Sequence, residues 1–284
     1  MIGAIVGDIV GSRFEHADHK SKAFDLFTSD CRPTDDSIMT LAIGKAIMEV
    51  EKNKDPALQE NPFDVIDYTQ LESLAVKFMQ KIGRNHPDCG FGGHFINWIF
   101  SDDPKPYKSY GNGAVMRVSA AGHAGRNEMD ALEIATRVTR VSHDHKEGLK
   151  AAEAVTLAIY MARKGLSKST IFSRINADYY ALDFSLDDIR ESYQFDVSCQ
   201  GSVPQAIRAF IEATSFEDAI RLAVSTGGDS DTIAAITGSI AEAYYGVPDS
   251  IKEKALSYLD DDLLNIYEEW QEFLTSRSVK KNAY

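Results

Sequence analysis

Glycine recurs at every fourth position at the start of this chain: Gly3, Gly7 and Gly11 stand among Ile2, Ile5, Val6, Ile9 and Val10. On a helix that spacing leaves one bare stripe, which a second backbone can approach closely. The segment by itself favours a buried helix; a dinucleotide-type glycine loop would need a strand–turn–helix context that is not evident. Far along the chain, between Thr232 and Tyr245, Ala234, Ala235, Gly238 and Ala241 stand beside Ile233, Ile236 and Ile240. A helix that is small or apolar nearly all round belongs in a core.

Helical spacing dominates between these two segments. Met39, Ala42, Ile43, Ala46, Ile47 and Val50 follow i, i+3, i+4, i+7, i+8, i+11, which predicts a helix from Thr34. Similar patterns cover Leu71–Ile82, Asp130–Val141, Gly148–Arg163, Pro204–Thr214 and Phe216–Ser225, while strand-like alternation is scarce. Glu51–Pro62 reads as a loop, Gly90–Gly93 and Ser101–Gly113 as functional loops, and Ser276–Tyr284 as a polar tail expected to fray. A chain of 284 residues can bury a substantial core without staples. No repeat or linker divides it, so one domain over residues 1–284 is expected.

A net charge of −13 argues against a general nucleic-acid surface, which needs Lys and Arg to neutralise phosphates. An anionic ligand would instead require bound cations or aimed backbone N–H groups to reverse the local field. Cys31, Cys89 and Cys199 are odd in number and lack metal-ligand spacing, so reduced thiols without an assigned role are expected. The apolar start has no basic region before it and is broken by Asp8, which fits neither signal peptide nor membrane span. A cytoplasmic protein without a membrane partner is expected.

Two acidic clusters, Thr34-Asp35-Asp36 and Asp229-Ser230-Asp231-Thr232, each open a helical pattern. Taken singly, a helix cap is the better reading of either, because Thr and Asp suit the N-cap and the dipole favours acids in the first turn. Taken together they favour a metal. One oxygen satisfies a cap, whereas these clusters offer four carboxylates and two hydroxyls, whose mutual repulsion a hard cation such as Mg²⁺ or Mn²⁺ would remove.

The segments Gly7-Asp8-Ile9-Val10-Gly11-Ser12-Arg13-Phe14-Glu15, Thr34-Asp35-Asp36, Tyr110-Gly111-Asn112-Gly113-Ala114-Val115-Met116-Arg117 and Gly227-Gly228-Asp229-Ser230-Asp231-Thr232 occur in this order. Together they resemble the ADP-ribosylglycohydrolases, the family of dinitrogenase reductase-activating glycohydrolase, over Ile2 to about Tyr245. The resemblance implies an all-α fold, a compact single-domain orthogonal helix bundle with a binuclear Mg²⁺ or Mn²⁺ cleft. It implies Thr34, Asp35, Asp36, Asp229, Asp231 and Thr232 as ligands, with cap and ligand roles competing for the Thr232 hydroxyl. Glu15 matches an acid beside the metals, and Glu15 and Asp36 are the implied catalytic carboxylates. Asp8 has a similar position and is left as a structural residue that caps or braces the glycine-rich segment.

The loop Ser109-Tyr110-Gly111-Asn112-Gly113 can turn consecutive N–H groups toward one point, as a phosphate nest requires, with a plain turn as the alternative. The resemblance places a diphosphate there, Tyr110 against the adenine, and His143 near the phosphates, although Lys146 stands where the family often has proline. Asp88 matches an acid approaching the metal-bound water or the distal ribose, with an Asx turn as the alternative. Arg117 is open between a phosphate contact and an ion pair.

The implied activity is hydrolysis of the bond between the distal ribose of ADP-ribose and an acceptor. An ADP-ribosylated protein or other acceptor would be the partner, ADP-ribose the product and a monomer the working unit. The alternatives are a non-catalytic ADP-ribose-binding or structural member of the family, and a metal-dependent phosphohydrolase that would release AMP.

Overall fold

The computed structural model describes residues 1–52 and 68–281 and is built from helices. In chain order these are α1 (Ile2–Gly11), α2 (Asp35–Lys52), α3 (Thr69–Gly83), α4 (Gly93–Phe100), α5 (Ser119–Ala124), α6 (Glu128–Arg140) and α7 (Lys146–Arg163). There follow α8 (Lys168–Asp178), α9 (Leu186–Ile189), α10 (Cys199–Glu212), α11 (Phe216–Val224), α12 (Ser230–Tyr245), α13 (Asp249–Leu256) and α14 (Asp261–Lys281). The described residues contain no strand, only one isolated bridge between Gly111 and Ser198.

The glycine stripe of α1 lies on α12. A Cβ built on Gly3 would stand 2.1 Å from the Gly238 carbonyl oxygen, and one on Gly7 2.0 Å from that of Ala234. Only hydrogen fits at either contact, so the two helices meet backbone to backbone. Every residue of α1 is buried, and α12 is buried from Ser230 to Ala241. Helices α2, α5, α7, α10, α11 and α13 pack against this pair, and the buried apolar side chains join into one core from Met1 to Trp270.

Each periodic segment maps onto a helix, but the ends differ: Val141, Ala213, Thr214 and Ser225 lie just beyond α6, α10 and α11. Pro204 suggested a helix start, yet α10 begins five residues earlier, where the Ser198 side chain accepts the Gly201 N–H over 3.1 Å. Glu51 and Lys52 close α2 instead of opening a loop, and the rest of that expected loop lies outside the described residues. Ser276 to Lys281 continue α14, while residues 282–284 lie outside the described residues.

Candidate active site

The crossing of α1 and α12 decides what the acidic clusters are free to do. Asp8, fully buried in α1, caps α2 from the side: its Oδ2 accepts the Thr34 and Ser37 N–H groups at 2.9 and 3.0 Å and the Ser37 hydroxyl, and its Oδ1 accepts the Thr34 hydroxyl at 2.6 Å. The Asp35 N–H goes to the Cys89 carbonyl at 3.2 Å, and the Asp36 N–H approaches Thr34 Oγ1 at 3.4 Å. The first turn of α2 is therefore capped without the side chains of Asp35 or Asp36. At α12, Asp229 holds the N-cap position but makes no side-chain cap bond; its Oδ2 accepts from Asn112 Nδ2 at 2.6 Å. The competing cap roles fall away from three of the four aspartates, while Asp231 accepts the N–H of its neighbour Thr232 at 2.9 Å.

The clusters meet in space. Thr232 Oγ1 donates to Asp36 Oδ2 over 3.1 Å, and the other Asp36 oxygen is buried with no partner. Carboxylate oxygens of Asp8, Asp36 and Asp231 lie within 4.8 Å of one another, as do those of Glu15, Asp229 and Asp231, and either group could hold a metal ion. Asp231 belongs to both. Asp8 already serves four donors, so Asp36, Asp231, Asp229 and Glu15 have the more available oxygens.

So many acids at one point oppose ionisation. Burial, then the charges of Asp8 and Asp229, push Asp35 up to about 8. Burial holds Asp36 and Asp231 well above the usual carboxylate range, and neighbouring carboxylates add to it. Asp8 is pushed up to about 6 by burial despite its four hydrogen bonds. Burial also raises Asp229 and Glu15. An all-oxygen donor set with an orphaned carboxylate oxygen is what a hard divalent cation suits.

Gly227 and Gly228 carry φ of +78° and +70°, the left-handed turn that delivers Asp229 to the start of α12. A Cβ on Gly228 would stand 2.6 Å from the Tyr193 ring. At the open side, Glu15, His16, Asp18, Gln194, Phe195 and Gly228 line a cleft of about 330 Å³.

A family model for ADP-ribosylglycohydrolase matches residues 1–282. The chain belongs to the ADP-ribosylglycohydrolase family. It is 25% identical to "ADP-ribosylhydrolase ARH3" of Mus musculus over 93% of this chain and 88% of that protein. To "ADP-ribosylhydrolase ARH3" of Homo sapiens it is 24% identical, over 93% of this chain and 90% of the relative. A shorter match, 28% identical over 54% of this chain and 42% of the relative, is "ADP-ribosylarginine hydrolase Tri1" of Pseudomonas putida. The solved structure titled "ADP-ribosylglycohydrolase-related protein complex" has the same fold, with a TM-score of 0.62, 22% identity and coverage of 93% of this chain and 94% of that one.

In this family member the glycine loop forms a wall beside the acids, joined to them by Asn112. Two of its N–H groups are engaged: Gly111 donates to Ser109 Oγ at 3.1 Å and Asn112 to the Val197 carbonyl at 2.8 Å, and Asn112–Ala114 is a 3-10 turn. Those two N–H groups are spent within the protein and are not offered to a ligand. His143 is buried behind Gly113, whose added Cβ would lie 3.3 Å from its Nε2. Tyr110 is 52% exposed, with its ring 5.2 Å from that of His145, and so presents an open aromatic face. Asp88 is exposed, in the loop whose Cys89 carbonyl receives Asp35 N–H. Arg117 makes no ion pair among the described residues; it is fully buried and donates to Ser142 Oγ at 2.6 Å.

Sequence reasoning missed three parts. Asp8 was a brace for its own helix and proved the cap of another. Asn112, placed with the phosphate loop, holds Asp229 by its side chain. Phe195, 49% exposed on the cleft, gave no signal in a segment without periodicity.

Proposed function

We propose that this chain is a divalent-metal-dependent hydrolase that cleaves the glycosidic bond between the distal ribose of ADP-ribose and an acceptor, releasing ADP-ribose. One observation carries the reading: Asp36, Asp229, Asp231 and Thr232 converge with Glu15 below an open cleft, around an Asp36 oxygen that lacks a partner. Thr34, Asp35, Asp36, Asp229, Asp231 and Thr232 would hold two cations, Mg²⁺ or Mn²⁺, and the position of Asp231 in both carboxylate groups supports a pair. Such cations supply Lewis acidity and a template for ribose hydroxyls and water, on the order of several kcal/mol.

The residues of the chain do the rest. Glu15, partly exposed and with its carboxyl raised by burial, stands at the cleft where it can exchange a proton with water. It takes a proton from water as the C1″–O bond forms and gives it to the departing acceptor as the C1″–acceptor bond breaks. Asn112 keeps Asp229 turned inward. The Ser109–Gly113 wall and His143 would receive the diphosphate, and the open ring of Tyr110 the adenine.

The test is a panel of ADP-ribose linked to arginine, to serine, to a nucleobase and to acetate, assayed for free ADP-ribose with Mg²⁺, Mn²⁺ or EDTA. Release from one linkage that stops in EDTA supports the proposal. Release of AMP would make the protein a phosphohydrolase, and tight ADP-ribose binding without release a non-catalytic member.

A further inference from the structure

Arg117 is an expensive residue to bury: the Asp35 charge favours it, but it makes no ion pair with the acidic site among the described residues. Its guanidinium is fully enclosed, with Nε and Nη1 lacking any hydrogen-bond partner. The Phe95 ring lies under it at 5.2 Å. Burial pushes it down to about 10, which still leaves it charged at neutral pH. Its one close polar contact is Nη2 to Ser142 Oγ at 2.6 Å, with His143 Nδ1 next at 3.5 Å.

The chemistry of these three groups fixes a proton. A guanidinium only donates, so Ser142 Oγ accepts from Arg117. The Ser142 hydroxyl hydrogen is then free for His143 Nδ1, 2.9 Å away. The opposite arrangement, with a proton on Nδ1, would set an N–H against the Nη2 donor and a full positive charge. Nδ1 is therefore an acceptor. In a neutral imidazole the proton must then reside on Nε2.

The imidazole is held neutral and still. Burial, with the nearby Arg117 charge, keeps His143 well below its usual value. Tyr107 and Phe95 flank the ring with centroids at 5.3 and 6.0 Å. The His143 N–H is tied to the Thr139 carbonyl at 2.9 Å. Nε2 has no hydrogen-bond partner among the described residues and lies behind the bare faces of Gly111 and Gly113, where an added Cβ would come within 4.0 and 3.3 Å of it.

We infer that Arg117 and Ser142 are positioning residues: they lock His143 as a neutral Nε2–H donor behind the glycine loop, aimed at an anionic oxygen of the ligand. This rests on the proposed ADP-ribose reading, in which that oxygen belongs to the diphosphate. It also adds a side-chain donor to a loop in which the Gly111 and Asn112 N–H groups are already engaged.

Histidine-selective ¹H–¹⁵N spectra of the full-length metal-loaded protein, with the His143 signals assigned by their loss in His143→Phe, read the tautomer without any ligand. The expected result is a protonated Nε2 and a bare Nδ1 in the wild type, with Nδ1–H gaining population in Ser142→Ala. Calorimetry with ADP-ribose should then show affinity about tenfold weaker in Ser142→Ala, the scale of one hydrogen bond, and kcat changed much less. In a His143→Phe background Ser142→Ala should cost nothing more. A protonated Nδ1 in the wild type, or an equal loss of affinity in both backgrounds, overturns the inference. Should Ser142→Ala fail to fold, the wild-type spectrum still decides. A wild type with the Nε2–H tautomer that does not bind ADP-ribose would sink the functional reading and the assignment of the ligand oxygen together, and leave the lock standing.

Discussion

Gly11 stands so close to Asp231 that a Cβ added to it would lie 2.5 Å from the Asp231 Cα. The last glycine of the stripe thus sets the position of a carboxylate common to both acidic groups. Gly11→Ala should raise helix propensity locally by about 1 kcal/mol, yet overpacking against backbone typically costs about 1–3 kcal/mol. The expected result is a lower melting temperature together with weaker Mg²⁺ or Mn²⁺ binding by titration. Gly7→Ala, which meets Ala234 instead, should lower the melting temperature with a smaller effect on metal affinity. Equal stability in both variants would mean that the helices are not in backbone contact.

Replacing a carboxylate in this site should separate stability from activity. Asp36→Asn removes a charge that Asp8, Asp35 and Asp229 all oppose, so the metal-free variant should melt no lower than the wild type. Turnover should fall by more than about 100-fold, since altering even the partners of metal ligands costs 10–100-fold. Asp229→Asn should behave likewise in turnover, with Asn112 losing its charged acceptor. Melting curves in EDTA beside an ADP-ribose release assay check both; unchanged turnover in both variants would remove the metal from the reaction.

These outcomes depend on features of unequal visibility in the sequence. Helix spacing and the glycine stripe were legible because each is a local period that maps onto one face. The pairing of Thr34-Asp35-Asp36 with Asp229–Thr232 was legible through chemistry, as oxygen donors in excess of any cap. Asp8 was not, because its partners Thr34 and Ser37 are 26 and 29 residues away and the bond depends on how two helices cross. The short helices α5 and α9 hold too few turns to display a period, and α14 is polar over most of its surface. The phosphate nest is an inference from Gly111 and Gly113; that Ser109 Oγ and the Val197 carbonyl engage the Gly111 and Asn112 N–H groups was not legible, since Val197 comes from a distant segment.

The acidic cluster makes stability depend on pH with opposite signs in the presence and absence of metal. Asp8 at about 6 and Asp35 at about 8 lie above their unfolded values near 3.9. The folded protein therefore binds more protons, and metal-free stability declines as pH rises from about 4 through these values. A cation needs the carboxylates ionised, so its stabilisation grows over the same window. In EDTA the melting temperature should be higher at pH 5.5 than at pH 8, by roughly 5 °C, while the rise produced by Mg²⁺ or Mn²⁺ should be larger at pH 8. Greater stability at pH 8 than at pH 5.5 in EDTA would show that the acids are not in mutual repulsion.

Glu15 separates chemistry from binding. Its oxygens lie within 4.8 Å of those of Asp229 and Asp231, but its side chain is 28% exposed, in contrast to the enclosed Asp36, Asp229 and Asp231, and its contact with the exposed His16 spans 3.6 Å. A carboxylate at the cleft mouth, raised by burial and by Asp229, is suited to moving a proton. Glu15→Gln keeps the shape and one acceptor oxygen but removes the proton exchange. Turnover should fall by about 10²–10⁴-fold, the usual worth of general acid–base catalysis, with ADP-ribose affinity changed by less than about threefold and the acidic limb of the rate profile lost. Equal losses in kcat and in affinity would instead make Glu15 a binding residue, and would return proton transfer to Asp35 or Asp36.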